Sequence, residues 1–109
     1  MSEPVLTPSE IRATADAIAS VQLPDGNIPW IPGGHTDPWN LVEAAMALDV
    51  GGRHHDAGRA YEWVRSMQLV EGGWHAYYLG DEVEDPTLDR ALNPVMGKSL
   101  IIYTQKVQG

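Results

Sequence analysis

Apolar residues recur at helical spacing in three stretches of the chain. The first places Ile11, Ala15, Ile18 and Gln22 on one face, the spacing of a helix with one side turned inward. Thr7-Pro8-Ser9-Glu10 supplies its start, with Thr7 as cap, Pro8 at the first helical position and Glu10 completing a capping box. Ala13, Ala15, Ala17 and Ala19 keep this helix slim enough for close approach, and Pro24-Asp25-Gly26 ends it. The second stripe is Leu41, Ala44, Ala45 and Leu48, behind an Asp37 cap and Pro38, and stopped by Gly51-Gly52. The third opens at His54-His55-Asp56, runs through Ala57, Ala60, Tyr61, Val64 and Met67, and breaks at Glu71-Gly72-Gly73. Asp85-Pro86 predicts a fourth helix by the logic of Asp37-Pro38, cut short by Asn93-Pro94. Long loops, 23–36 and 69–84, separate the hairpins. The tail changes character, and Leu100 to Thr104 reads as a short strand.

The pattern repeats. Gln22-Leu-Pro-Asp-Gly26 returns 46 residues later as Gln68-Leu-Val-Glu-Gly72, each followed by a nearby Trp, and Asp37-Pro38 returns as Asp85-Pro86. A period of this length marks a repeat architecture. The prediction is an all-α chain of antiparallel helical hairpins, with an arm at 1–6, repeats over 7–92 (units at about 8–52 and 53–92) and a divergent tail at 93–109 that is irregular or a short strand.

Gln68-x-x-x-Gly72-x-Trp74, with Trp63 five residues before the Gln, resembles the QW motif of the terpene-cyclase and prenyltransferase-like α/α toroid proteins, the squalene-cyclase type. The first copy is looser, since Trp30 lies two residues further on and Ala17 replaces the aromatic. The resemblance covers about residues 8–89. It implies a partial (α/α) toroid, whose hairpins close into a barrel with a cavity beneath the long loops, and a small apolar or isoprenoid ligand. Read from the residues themselves, Gln22, Gly26, Gln68, Gly72 and Trp74 are structural. A Gln amide at a helix end offers donors and an acceptor to loop backbone, Gly permits the turn, and Trp adds a large flat body with one N–H to satisfy. The pattern stops after Asp89, which points to a truncated, frame-shifted or excised piece. An incomplete toroid is expected to lack a complete active site of its own, and to self-associate or take a partner through exposed helix faces.

Composition narrows the function classes. A formal charge of −8 with only seven Lys and Arg argues against a nucleic-acid surface. Without cysteine there is no disulfide framework or thiolate metal site. The N-terminus lacks a signal-peptide pattern and no apolar stretch approaches a membrane span, so the reading is cytoplasmic. No cofactor or metal is expected. His54 and His55, adjacent on a helix, point about 100° apart and do not suit one ion.

Candidate chemistry gathers in Trp30-Ile-Pro-Gly-Gly-His35-Thr-Asp37-Pro-Trp39-Asn40, a loop running into a helix. Trp30 and Trp39 could stack on a substrate while His35, Asp37 or Glu43 handles protons. The competing reading makes Asp37 a cap and the Trp residues core. His75 and Tyr77 form a second cluster, as packing at the cavity mouth or as ligand contacts. Glu82-Val83-Glu84-Asp85 is compared with the Asp-x-Asp-Asp acid of class II terpene cyclases and reads better as a solvated acidic loop capped by Asp85. Two alternatives stay open: a carbohydrate-active, six-hairpin glycosidase-like (α/α) barrel fragment, for which a Trp- and acid-lined loop suits sugar stacking, and a non-enzymatic interaction module.

Overall fold

A computed structural model describes residues 7–88 of the 109. Three helices and a two-stranded antiparallel sheet make up these residues: α1 (Pro8–Val21), α2 (Pro38–Val50), α3 (His54–Ser66), β1 (His75–Leu79) and β2 (Glu82–Leu88). The helix starts follow the predicted chemistry. Thr7 accepts from the Glu10 amide, and Asp37 accepts from the Asn40 amide, each with Pro in the first turn. Such caps satisfy N–H groups that have no intrahelical partner. Gly51 and Gly52 turn the chain from α2 into α3, with Gly52 at φ +89°. Gly51 also lets α1 come close, because a Cβ there would sit 2.3 Å from the Ala15 methyl.

The core lies where the three apolar stripes meet. Ala15 of α1, Leu41, Ala45 and Leu48 of α2, and Ala57, Ala60, Trp63 and Val64 of α3 are buried together with Ile28, Trp74 and Tyr78. Trp63, which the stripe of α3 omitted, is only 3% exposed.

The duplicated motif forms the same turn twice. Gln22 Nε2 donates to the Gly26 carbonyl at 3.0 Å, and Gln68 Nε2 to the Gly72 carbonyl at 2.9 Å. Leu23 N donates to Asn27 O as Leu69 N donates to Gly73 O, and Gly26 N to Leu23 O as Gly72 N to Leu69 O. Gly26 and Gly72 take φ of +102° and +97°. Trp74 packs in the core and donates its indole N–H to the Val64 carbonyl at 2.7 Å. The place six residues after Gln22 holds Ile28, also buried, so Trp30 is not the counterpart of Trp74.

The prediction of an all-α chain is corrected here. Asp85-Pro86 starts no helix. Both residues lie in β2, which pairs with β1 in the register Leu79↔Glu82, Tyr78↔Val83, Tyr77↔Asp85 and His75↔Leu88, with irregularities on either side of Tyr77. Asp85 still accepts from a downstream amide, that of Thr87, but in an extended segment whose ladder partner is already in place. Pro86 lacks an N–H and is tolerated on an edge strand. Gly80-Asp81 makes the two-residue hairpin turn, with Gly80 at φ +60°. The segment read as a long loop is thus largely hairpin. No toroid is evident among the described residues, and the predicted break at Asn93-Pro94 and strand at 100–104 lie outside them.

An isolated bridge between Thr36 and Tyr78 lays the loop before α2 alongside β1. Two buried polar residues lock this junction. Thr36 Oγ1 donates to Asn27 Oδ1 at 2.5 Å, and Asn27 Nδ2 donates to the Gly80 carbonyl at 3.1 Å. Arg59 of α3 reaches the other way, to Gln22 Oε1, the Pro24 carbonyl and Asp56. No helix among the described residues is long and apolar enough to cross a membrane.

Candidate functional site

The loop from Ile28 to Asp37 is an ordered turn. Gly34 N donates to the Ile31 carbonyl at 2.9 Å, with Pro32 second and Gly33, at φ +75°, third. That is the residue pattern a type II turn requires. Trp30 N then donates to His35 O at 3.0 Å, which brings the two rings to 4.8 Å in an edge-to-face arrangement. Because Thr36 pairs with Tyr78, Tyr77 arrives beside them, 4.9 Å from His35 and 6.4 Å from Trp30 between ring centroids.

Carboxylates stand at both ends of this aromatic cluster. At one end Asp37 Oδ1 accepts from the Asn40 amide, while Oδ2 accepts from Trp30 Nε1 at 2.7 Å and from Asn40 Nδ2 at 2.5 Å. The cap is therefore also the anchor that orients Trp30 and Asn40. At the other end His35 Nδ1 lies 3.2 Å from Glu84 Oε1 of β2, both side chains partly exposed. Trp30 is 53% exposed, so its ring keeps area available to a ligand despite its three partners.

Of the predicted residues, Trp30, His35, Asp37 and Tyr77 come together. Trp39 sits half-buried in the first turn of α2 and Glu43 is exposed one turn later. His75 turns to the hairpin instead: its ring Nδ1 meets the Pro86 carbonyl at 2.9 Å and its backbone N–H donates to the Tyr78 hydroxyl. Asn40 and Glu84 are the additions. Asn40 was legible as the third residue after an Asp cap. Glu84, read as part of a solvated loop, reaches His35 only because β2 folds back on β1.

A groove of about 410 Å³ shares Trp30 with the cluster. Ile18 and Val21 of α1, Ile28 and Pro29 of the loop and Ala44 of α2 line it, and Trp30 and Asn40 close it toward Asp37. Asp25 faces Asp81. Burial raises the Asp25 carboxyl above its ordinary value, the Asn27 amide pulls it back, and Asp81 adds to the rise by hydrogen bonding and like-charge repulsion. The Trp63 indole donates to Asp81 at 3.0 Å. No group of three or more His, Cys, Asp or Glu among the described residues could hold a metal ion. His54 of the His54-His55 pair instead contacts Asp49.

No family model matches the chain. An MMP endo-(1,4)-3-O-methyl-alpha-D-mannosidase of Mycolicibacterium hassiacum is 48% identical over 85 residues, which is 78% of this chain and 24% of that protein. The chain thus spans about a quarter of the relative's length. This likeness overturns the terpene-cyclase and prenyltransferase reading, and with it the isoprenoid ligand. The Gln-Gly-Trp pattern that carried that reading is a hydrogen-bonded turn at a helix end, seen twice here. Any scaffold that reverses a helix in this way has a use for it, so the pattern identifies a turn rather than a family.

Proposed function

We propose that this chain is the sugar-binding part of a carbohydrate-active, glycosidase-like protein that acts on α-linked mannose units. The observation that carries the reading is the Trp30–His35–Tyr77 cluster with a carboxylate at each end, in a chain 48% identical over its matched region to a mannosidase. A pyranose presents C–H groups on its faces and hydroxyls around its edge. The exposed Trp30 ring suits the faces, and the free lone pairs of Asp37, Asn40 and Glu84 suit the hydroxyls. Asp37 already collects three N–H donors, so in this site it acts as an acceptor toward the sugar. Glycosidic hydrolysis uses two carboxyl groups with the bond between them, and Asp37, Glu84 and Glu43 are the carboxylates from which this surface would draw that pair.

The test is calorimetric titration of the 109-residue chain with an α-(1,4)-linked 3-O-methylmannose oligosaccharide. Binding is expected, with Trp fluorescence changing on saturation, and Trp30→Ala weakens it roughly tenfold, the size of one lost aromatic contact. Trp30 lies outside the core, so the variant retains its fold. Absence of binding, or equal affinity of the Trp30→Ala chain, would reject the reading.

A further inference from the structure

We propose that the second copy of the duplicated turn, residues 68–73, is a docking face for an Arg-bearing helix of a further repeat unit. The first copy shows what such a turn receives. Arg59 of α3 lies across it, with Nη1 donating to the Leu23 and Pro24 carbonyls at 3.3 and 2.9 Å and Nη2 donating to Gln22 Oε1 at 2.8 Å. Gln22 Nε2 donates in return to the Asp56 carbonyl of α3 at 2.9 Å. The helix comes so close that a Cβ on Gly26 would fall 2.1 Å from the Arg59 carbonyl. The second copy keeps the internal hydrogen bonds and the positive-φ glycine. It has none of the outside contacts among the described residues. There Gln68 Oε1 and the Val70 carbonyl receive no donor, and Val70 is fully exposed. The nearest atom to a Cβ on Gly72 is the Gln68 amide nitrogen, at 3.9 Å.

Equivalent turns offer equivalent acceptors, so the second suits the same kind of occupant. Gln68 Oε1, Leu69 O and Val70 O stand where Gln22 Oε1, Leu23 O and Pro24 O stand in the first. Three oxygens spread over one turn match the fork of N–H groups on a guanidinium, which a single ammonium does not span. Glu71 beside them and the chain's formal charge of −8 favour a cation. The occupant is therefore a helix built like α3, with an Arg three residues after the one whose carbonyl takes the Gln amide. A second copy of this chain fits poorly. Its Arg59 is committed to its own first turn, and α1, the helix equivalent to α3, has Ala13 at the position of Arg59. Such a helix belongs to a further repeat of the same polypeptide type. The mannosidase relative, of which the match covers 24%, has the length for one.

A helix-stapled peptide of residues 53–67 is the probe, titrated into the full 109-residue chain and followed through the chain's backbone amide NMR signals. Saturable shifts confined to 68–73 are expected. Arg59→Ala in the peptide should weaken binding about tenfold or more, the size of hydrogen bonds to a charged group, and Arg59→Lys should restore only part of it. Gln68→Ala in the chain should weaken binding of the unaltered peptide likewise, with thermal melting confirming the fold. Shifts centred on 22–27, affinity indifferent to Arg59 or Gln68, or no shift at millimolar peptide would overturn the docking face. Self-association of the chain alone in sedimentation, abolished by Gln68→Ala, would also overturn it, by giving the face to a second copy.

Discussion

Asp37 serves as a helix cap and as an anchor for two side chains of the proposed site. Its Oδ1 takes the Asn40 amide and its Oδ2 takes Trp30 Nε1 and Asn40 Nδ2. The roles separate by substitution. Asp37→Ala should cost about 1 kcal/mol of folding stability through the lost cap. Asp37→Ser should recover most of that, because a hydroxyl caps, yet leave Trp30 without its anchor. Urea denaturation reports the first effect and the Trp30 emission spectrum the second; full stability in the Ala variant would discard the cap. Asp25 illustrates a different residue-scale effect. Its carboxyl is raised above the ordinary 3.8 by burial and by Asp81, so the folded state binds its proton more tightly than the unfolded chain does. Its contribution is fully present below pH 3.8 and is lost as pH rises through the folded value. Asp25→Asn should therefore stabilise the protein at neutral pH, with the gain fading in acid, as melting temperatures across a pH series would show. Asp56 has the opposite sign. The Arg53 hydrogen bond, with Arg59 adding to it against burial, lowers its carboxyl. That contribution holds above the ordinary value and is lost as pH falls through the folded one.

At the scale of elements, the helices and the duplicated turn were legible and the hairpin was not. Caps at Thr7 and Asp37, Pro in the first turn and Gly at the stops are local chemistry, and each acts in the structure as its residue type dictates. Asp85-Pro86 misled because a helix start and an Asp-Pro in a strand look alike until a ladder partner is known. The missed signal was Gly80-Asp81 between Tyr77-Tyr78-Leu79 and Glu82-Val83, a two-residue turn between residues that can extend. The repeated turns also make a paired prediction. Gly72→Ala meets no atom closer than 3.9 Å and suffers only from its positive φ, at a cost of roughly 1–2 kcal/mol. Gly26→Ala suffers the same strain, and its Cβ would also fall 2.1 Å from the Arg59 carbonyl. It should therefore cost roughly 1–3 kcal/mol more. Chemical denaturation of the two variants compares them directly, and equal losses would mean that the α3 backbone yields.

At the scale of the whole molecule, a small buried polar link ties the helices to the hairpin. Asn27 receives the Thr36 hydroxyl and donates to Gly80 O, and Thr36 and Tyr78 exchange backbone hydrogen bonds at 2.8 Å in both directions. Asn27→Ala leaves the buried Thr36 hydroxyl and the part-buried Gly80 carbonyl without their partner, a loss of about 1–3 kcal/mol. Hydrogen exchange should then accelerate most at Thr36 and Tyr78; uniform acceleration across α1–α3 instead would deny the link its local role. The same link explains why the site was only half readable. Trp30, His35 and Asp37 share one loop, and their residue types alone made them candidates. Tyr77 and Glu84 join them from the hairpin, and that meeting depends on Asn27 and Thr36, which nothing in their local sequence marks as buried. The sequence by itself determined the three helices, their caps and the repeated Gln-to-Gly turn, because those follow from contacts within a few residues. Only the tertiary structure decided that Tyr77 and Glu84 of the hairpin complete an aromatic and acidic surface with Trp30, His35 and Asp37. The Thr36–Tyr78 pairing and the approach of Glu84 to His35 join residues more than forty positions apart, and no local pattern carries that information.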